Sequence, residues 1–438
     1  MKRVFAPVPN YFGGSMKKIS AVLLVLVLVG SVAFAGFTGS ATTSFGYNLD
    51  SGVYGFKNGK AVSVDVNFME LVGEKKTDGN IYVDIAATLN FTFDNADESG
   101  LAPAGGLDVA TRLNAVAKFK HAKIVGDNWY VGILGSLVAP TFAVSAIDAA
   151  GDGGDTNTLG FAIDEDDYFA DLAFKGVVPA AAKPAGVEVG VADFVASIGV
   201  AGDANNDKYD FYGTLTTPEF EFAEGLTAKF GAAASITDLA MVFGGSVKVA
   251  YADDDLAVSV ASDVLLNEKD FDADVALAAS YTDYSLDVYY ATQTNNGVKA
   301  GTDNLLSAKV AAAIDPVKIT LTGKDLVNLQ DLSLSVKFQA TDELAVTARG
   351  GYVINTEVWN GGADVEYKTD DFTAKAGGTY RSTERISVNA SIETETLIPG
   401  AVLKLAYAGD DLTAADPVVG GYTNGDMGAV TASVKIAF

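Results

Sequence analysis

The chain has 438 residues, a formal net charge of −26 at neutral pH, no cysteine and one histidine, yet nearly half of its residues are apolar. These numbers exclude a disulfide framework, a thiolate metal site and a lipid-modified N-terminal cysteine, and they make nucleic acid an unfavourable partner. High charge combined with high hydrophobicity argues against disorder and for a fold that keeps the two apart in space.

The N-terminal region reads as an export signal. Met16-Lys17-Lys18 precedes an apolar run from Ala21 to Val29, and Val32-Ala33-Phe34-Ala35 ends it in an Ala-x-Ala pattern. A basic start, a short greasy core and small residues at the cut predict a signal peptide over residues 1–35, cleaved after Ala35. The run is too short for a membrane-spanning helix. Translation is expected to begin at Met16, and any peptide from Val4–Tyr11 in the precursor would contradict this. Cleavage removes Lys2, Arg3, Lys17 and Lys18 and no acid, so the mature net charge becomes −30.

From Gly36 to the end, alternation of apolar and polar residues dominates, which is the signature of strands with one greasy and one wet face. It runs through 61–68 and through 81–91, with a slip expected at Ala86-Ala87. It returns at 286–290, at 386–393, and most cleanly at 331–338, where Leu332, Leu334, Val336 and Phe338 oppose Ser333, Ser335 and Lys337. A turn signature recurs between strands. Tyr251, Tyr367 and Tyr407 each begin an aromatic, Asp-rich, apolar-closing hexamer; Phe338–Leu344 adds one residue, and Tyr281–Leu286 and Ile314–Val317 are looser relatives. Asp suits tight turns because its side chain bonds the backbone two residues on. Longer polar connections are expected on the opposite edge, at 266–272, 292–303, 324–330 and 409–428, and connectors rich in Ala, Pro and Gly at 101–107 and 180–184. No composition break divides residues 36–438, which read as a single domain.

Sites for chemistry are scarce. His121 stands alone among lysines, with no Gly-x-Ser-x-Gly elbow, so it reads as a surface residue. One histidine and no cysteine cannot build a zinc centre. The clusters Asp152/Asp155, Asp164–Asp167 and Asp253–Asp255 do not match an EF-hand, and no cofactor motif is present.

The chain closes on Val430-Thr-Ala-Ser-Val-Lys-Ile-Ala-Phe438, an alternating strand whose last residue is aromatic. Together with the export signal and the alternation, this resembles bacterial outer-membrane porin-type β-barrels, although the position two before the end is Ile436 rather than an aromatic. The resemblance implies an all-β fold: a transmembrane antiparallel up-and-down barrel with an even strand number, between 16 and 24. It also implies location in the bacterial outer membrane and passive diffusion of ions and small hydrophilic solutes without catalysis. Its partners would be outer-membrane lipid, the barrel-assembly machinery reading Phe438, and further copies of the chain, as in a trimer. Under this reading Lys248, Asp287, Lys337, Arg349, Asp364, Glu366, Lys375, Glu393 and Lys404 line the pore. A constriction loop is expected at 148–167, carrying Asp152, Asp155, Asp164, Glu165, Asp166 and Asp167. The acidic total predicts a preference for cations if the excess lies near the pore. The competing reading is a structural or adhesive surface protein of the S-layer kind.

Overall fold

The computed structural model describes residues 37–49, 52, 54–56, 60–72, 81–94, 112–144, 177, 183–203, 208–237, 240–266, 271–292, 304–324, 326–327, 330–383, 385–409, 412 and 427–437. In chain order the first strands are β1 (Phe37–Asn48), β2 (Tyr54–Phe56), β3 (Lys60–Val72), β4 (Tyr82–Asp94), β5 (Arg112–Val125) and β6 (Trp129–Leu134). After the connection 135–184 come β7 (Ala185–Val191), β8 (Phe194–Asp203), β9 (Lys208–Thr216), β10 (Phe220–Ala223), β11 (Leu226–Thr237) and β12 (Ala240–Ala252). The run continues with β13 (Leu256–Leu266), β14 (Phe271–Tyr281), β15 (Tyr284–Ala291), β16 (Leu305–Ile314), β17 (Val317–Lys324) and β18 (Asp331–Gln339). It ends with β19 (Leu344–Val353), β20 (Val358–Lys368), β21 (Thr373–Arg381), β22 (Arg385–Thr394), β23 (Ala401–Gly409) and β24 (Ala429–Ala437).

All described pairings are antiparallel and, apart from β1–β3, β9–β11 and the closing β1–β24, join neighbours in sequence. The sheet closes on itself where β24 pairs with β1, from Ser40↔Ala437 to Asn48↔Ala429. β2 and β10 are short flaps beside β1 and β11; the other strands form a closed 22-strand barrel. Closure removes the exposed edges that an open sheet would present. Strands about 4.8 Å apart and tilted about 40° make such a cylinder about 40 Å across between backbones.

Alternation gives the barrel two unlike faces. On β18 one face carries Leu332, Leu334, Val336 and Phe338 and the other Asp331, Ser333, Ser335, Lys337 and Gln339; the register continues both sets onto β17 and β19. Large apolar side chains on the first face stay exposed to the surroundings, as at Ile198, 69% exposed, Phe211 and Leu334. A continuous exposed apolar surface on a closed barrel is a lipid-facing surface, so the polar face must be the concave one. Aromatics stand at both ends of the apolar face: Tyr251, Tyr281, Phe338 and Tyr367 at one, Tyr352, Trp359 and Tyr380 at the other. These are the girdles expected at two membrane–water interfaces.

The turns at the rim that holds both ends of the barrel are tight for identifiable reasons. Ala192 (φ 49) and Asp193 (φ 66) both take left-handed conformations, the requirement of a two-residue hairpin loop. Asp253 Oδ1 accepts the backbone N–H groups of Asp255 (3.0 Å) and Leu256 (2.8 Å), and Tyr251 donates its hydroxyl to Oδ2 (2.9 Å). Those bonds hold the Asp253 carboxyl below the usual carboxylate range. Thr341 and Thr369 do the same work in their turns, each hydroxyl accepting two backbone N–H groups.

Three expectations need correction. The hexamer beginning at Tyr407 does not share a rim with those at Tyr251 and Tyr367: β23 runs the other way, so Tyr407 precedes the long 410–428 connection. Its hydroxyl accordingly donates to the Met427 carbonyl across that loop. The slip expected at Ala86-Ala87 is not in β4, whose even residues from Tyr82 to Asn90 stay on one face. The extra residue is Lys120 of β5, skipped between His121↔Ala86 and Phe119↔Ala87. The opposite rim is also less uniform than expected, because 266–272 shrinks to a connection at 267–270 and 354–357 and 382–384 are as short as turns.

Candidate functional site

The nine residues expected to line a pore all fall on the polar face. Arg349 Nη2 lies 2.5 Å from Asp364 Oδ2, Lys375 Nζ 2.7 Å from Glu366 Oε2, and Lys404 Nζ 3.6 Å from Glu393 Oε2. Asp287 stands opposite Lys309 in the β15–β16 register. The remaining two face like charges: Lys248 stands opposite Lys229, and Lys337 opposite Lys318. In the N-terminal half the same face carries a second network. Glu188 accepts from Lys123 Nζ (2.7 Å), Tyr130 Oη (2.9 Å) and Ser197 Oγ (3.0 Å), while His121 Nε2 lies 3.1 Å from Asp84. His121 is therefore on the polar face of the wall beside a carboxylate, with no serine partner among the contacts shown.

The charges are not distributed as the net total suggests. The polar faces of β13, β14 and β15 carry Asp263, Asp272, Asp274 and Asp287 and no base. From β16 to β24 the balance reverses, with Lys309, Lys318, Lys337, Arg381, Arg385 and Lys435 among the bases on the same face. The acids in excess lie elsewhere. At the rim holding the barrel's two ends, the nine turns from 126–128 to 395–400 contain acids such as Asp127, Asp193, Asp254, Asp283, Asp342 and Asp370, and no Lys or Arg. The wall is mixed, and the mouth is anionic.

The most constructed part of the interior was not visible in the sequence. After β6 the chain turns onto the polar face and crosses it as an extended segment, 135–144. Gly135 N–H donates to the Lys120 carbonyl and Leu137 N–H to the Pro184 carbonyl, both at 2.8 Å. Leu137 and Ala139 then pack with Val177, Tyr212, Ala233 and Leu265 in a buried apolar cluster. Pro140 crosses Gly231 of β11 so closely that a Cβ there would sit 2.8 Å from its Cγ. At the far end, the N–H groups of Phe142 and Ala143 donate to the Asp263 carboxylate, the latter at 2.9 Å, and Ser246 Oγ donates to it as well. Lys229 Nζ stands 5.7 Å from the centre of the Phe142 ring.

Asp263 is fully buried. A buried carboxylate is costly unless its oxygens are bonded, and here several donors converge on it. The segment's other side remains open, with Val138 79% exposed. Asp152, Asp155, Asp164, Glu165, Asp166, Asp167 and Phe438 lie outside the described residues. The inward fold that is described begins ahead of 148–167. Its only sequence trace is a break in alternation: Leu265 follows Asp263 on the polar face and stands directly before Leu266.

No protein-family model matches the chain, and no curated protein matches it in sequence. Solved structures resemble it at low identity. A mutant of the Rh. blastica porin shares 11% identity over 92% of this chain and 99% of its own, with a TM-score of 0.33. A mutant of the ferric enterobactin receptor of Pseudomonas aeruginosa shares 10% over 93% and 81%, with a TM-score of 0.46. The translocation pore of the P pilus usher shares 8% over 92% and 99%, with a TM-score of 0.43. The closed 22-strand antiparallel barrel of the present chain stands on its own strand register.

Proposed function

We propose that the protein is a bacterial outer-membrane channel that passes ions and small hydrophilic solutes by diffusion and catalyses no reaction. The observation that carries this is the polar concave face of a barrel too wide for its own side chains to fill. The segment 135–144 narrows one side of that space and is pinned there by Asp263. A surface-layer subunit has no need of a continuous apolar band girdled by aromatics, which favours the channel.

The preference for cations belongs, on this proposal, to the mouth rather than to the wall. The anionic turns would raise the local concentration of cations at one entrance. The mixed wall within would weaken discrimination further along. Export by a cleaved signal peptide, recognition of Phe438 by the assembly machinery and assembly into a homo-oligomer accompany this reading and have their own tests in precursor mass, Phe438 deletion and crosslinking. The function is tested in planar bilayers. The protein is expected to give stepwise conductance in KCl, with a reversal potential in a salt gradient that favours cations modestly. A folded, inserted protein with no conductance would contradict the channel, and strong anion preference would contradict the role of the mouth.

A further inference from the structure

The wall is uneven at the rim that holds the barrel's two ends. β7 and β8 turn back at Ala192-Asp193, and the pair of β8 and β9 nearest that rim is Val195↔Thr216. Beyond Pro218 the chain runs on as β10, which pairs with β11 through Phe220↔Ala228, Glu221↔Thr227 and Ala223↔Leu226. Among the described residues no strand pairs with the other edge of β10. Every residue from Glu219 to Glu224 is exposed, Phe222 by 65%. A strand sends backbone N–H and C=O groups to both sides, so those on the free side of β10 are a template for a further strand.

The flap is held in place. Proline has no N–H to give the ladder, and it interrupts the strand at Pro218. Thr217 spans the interruption. Its N–H donates to the Phe230 carbonyl (2.9 Å), while its hydroxyl donates to the Pro218 carbonyl (2.8 Å) and accepts the Phe230 N–H (3.0 Å). The Thr227 hydroxyl donates to the Glu219 carboxylate. On the lipid side the Phe220 ring packs with those of Phe194, Phe222 and Phe230, with centres 6.1 to 6.4 Å apart.

The other face carries Glu219 and Glu221, and Glu224 follows in the turn. An edge with aromatics on one face and carboxylates on the other selects what can pair with it. Like charges directly opposite destabilise a strand pair, so a second copy, which would set these glutamates against one another, is disfavoured. Bases opposite the glutamates are favoured, and apolar side chains at the alternate positions extend the phenylalanine cluster.

We propose that the free edge of β10 docks an extended segment of another protein, one whose side chains alternate between apolar residues and Lys or Arg. The segment adds to the wall as a strand, its backbone bonded to β10 and its two faces matched to the phenylalanines and the glutamates. The four residues of β10 make an edge about 13 Å long, enough for a short strand. The docking edge belongs to the rim and does not rest on conduction through the barrel.

The test uses the folded full-length protein in detergent and a fluorescent hexapeptide of alternating valine and lysine, read by anisotropy against empty micelles. Saturable binding is expected, with slowed hydrogen exchange at residues 220–223. The same peptide N-methylated at every residue keeps its charge and loses its pairing N–H groups, and it should bind about tenfold more weakly. Glu221→Lys should weaken binding about fivefold. The Phe220→Ala/Phe222→Ala variant should weaken it about tenfold, and Asp342→Asn in a distant turn of the rim should leave it unchanged. Heat-modifiable migration confirms that each variant is folded. Absence of saturable binding would overturn the proposal. Equal binding by the N-methylated peptide, or equal weakening by Asp342→Asn, would overturn it too, because the anionic rim as a whole would then be the attractor. Dimers that the peptide dissociates would make a second copy the occupant, and phosphatidylglycerol vesicles that slow exchange at 220–223 without peptide would make it lipid; either result overturns the proposal.

Discussion

Two arcs of the wall show what decides the filling of a polar face. From β17 to β24 no other described segment covers it, and its charges are partly exposed and arranged in cross-strand pairs such as Arg349–Asp364 and Lys375–Glu366. From β8 to β13 it is met by protein, the segment 135–144, and small or apolar residues take over: Gly199, Tyr212, Gly231, Ala233 and Leu265. The charge that bonds the segment, Asp263, is buried beneath it. A period of two makes the faces, and what lies against each face chooses its residues.

The comparison can be broken most forcefully at the face assignment. Leu334→Arg places a charge on the lipid face at mid-depth and should cost about 2–4 kcal/mol, whereas Ser335→Arg, one residue on, should cost far less. Urea unfolding in lipid vesicles measures both, and equal costs would erase the distinction between faces. Next in size is the latch. Asp263→Ala strips the acceptor from two backbone N–H groups and should cost about 2–3 kcal/mol locally. It should speed hydrogen exchange at Phe142 and Ala143 and change conductance, while Asp364→Ala in the open arc leaves those amides protected. A smaller effect is expected from the open arc itself. Asp364→Asn should cost about 1 kcal/mol or less, because the pair is partly solvated, and high salt should mask it. The smallest concerns the rim. The Asp253 carboxyl is held low by Leu256, Asp255 and Tyr251, so its contribution is present above the ordinary carboxylate range. That contribution is lost only as pH falls through the lowered folded value. A carbon-detected NMR titration should find Asp253 titrating below the usual carboxylate range.

The same contrast explains what the sequence made legible. Alternation at 331–338 and 386–393 falls within β18 (Asp331–Gln339) and β22 (Arg385–Thr394), because lipid on one side and water on the other enforce a strict period. The terminal run from Val430 falls in β24 (Ala429–Ala437), and 22 strands fall inside the range expected. The inward segment escaped notice because its anchor is tertiary: nothing near Gly135 or Pro140 indicates that Asp263, far along the chain, will receive it. Tyr407 misled for a related reason. An aromatic before two aspartates suits either interface, and only the direction of the strand tells which. The net charge was informative about the molecule and misleading about the wall, since the turns hold so much of it. His121 beside Asp84 depends on register, which a single sequence does not state.

The measurement that bears most directly on the two-faced cylinder exploits the absence of cysteine. Single cysteines placed from Leu332 to Lys337 in β18, with the protein inserted in liposomes, are challenged with a water-soluble maleimide. Positions 333, 335 and 337 should label and 332, 334 and 336 should not. Uniform labelling, or the opposite alternation, would contradict a barrel with lipid outside and water within.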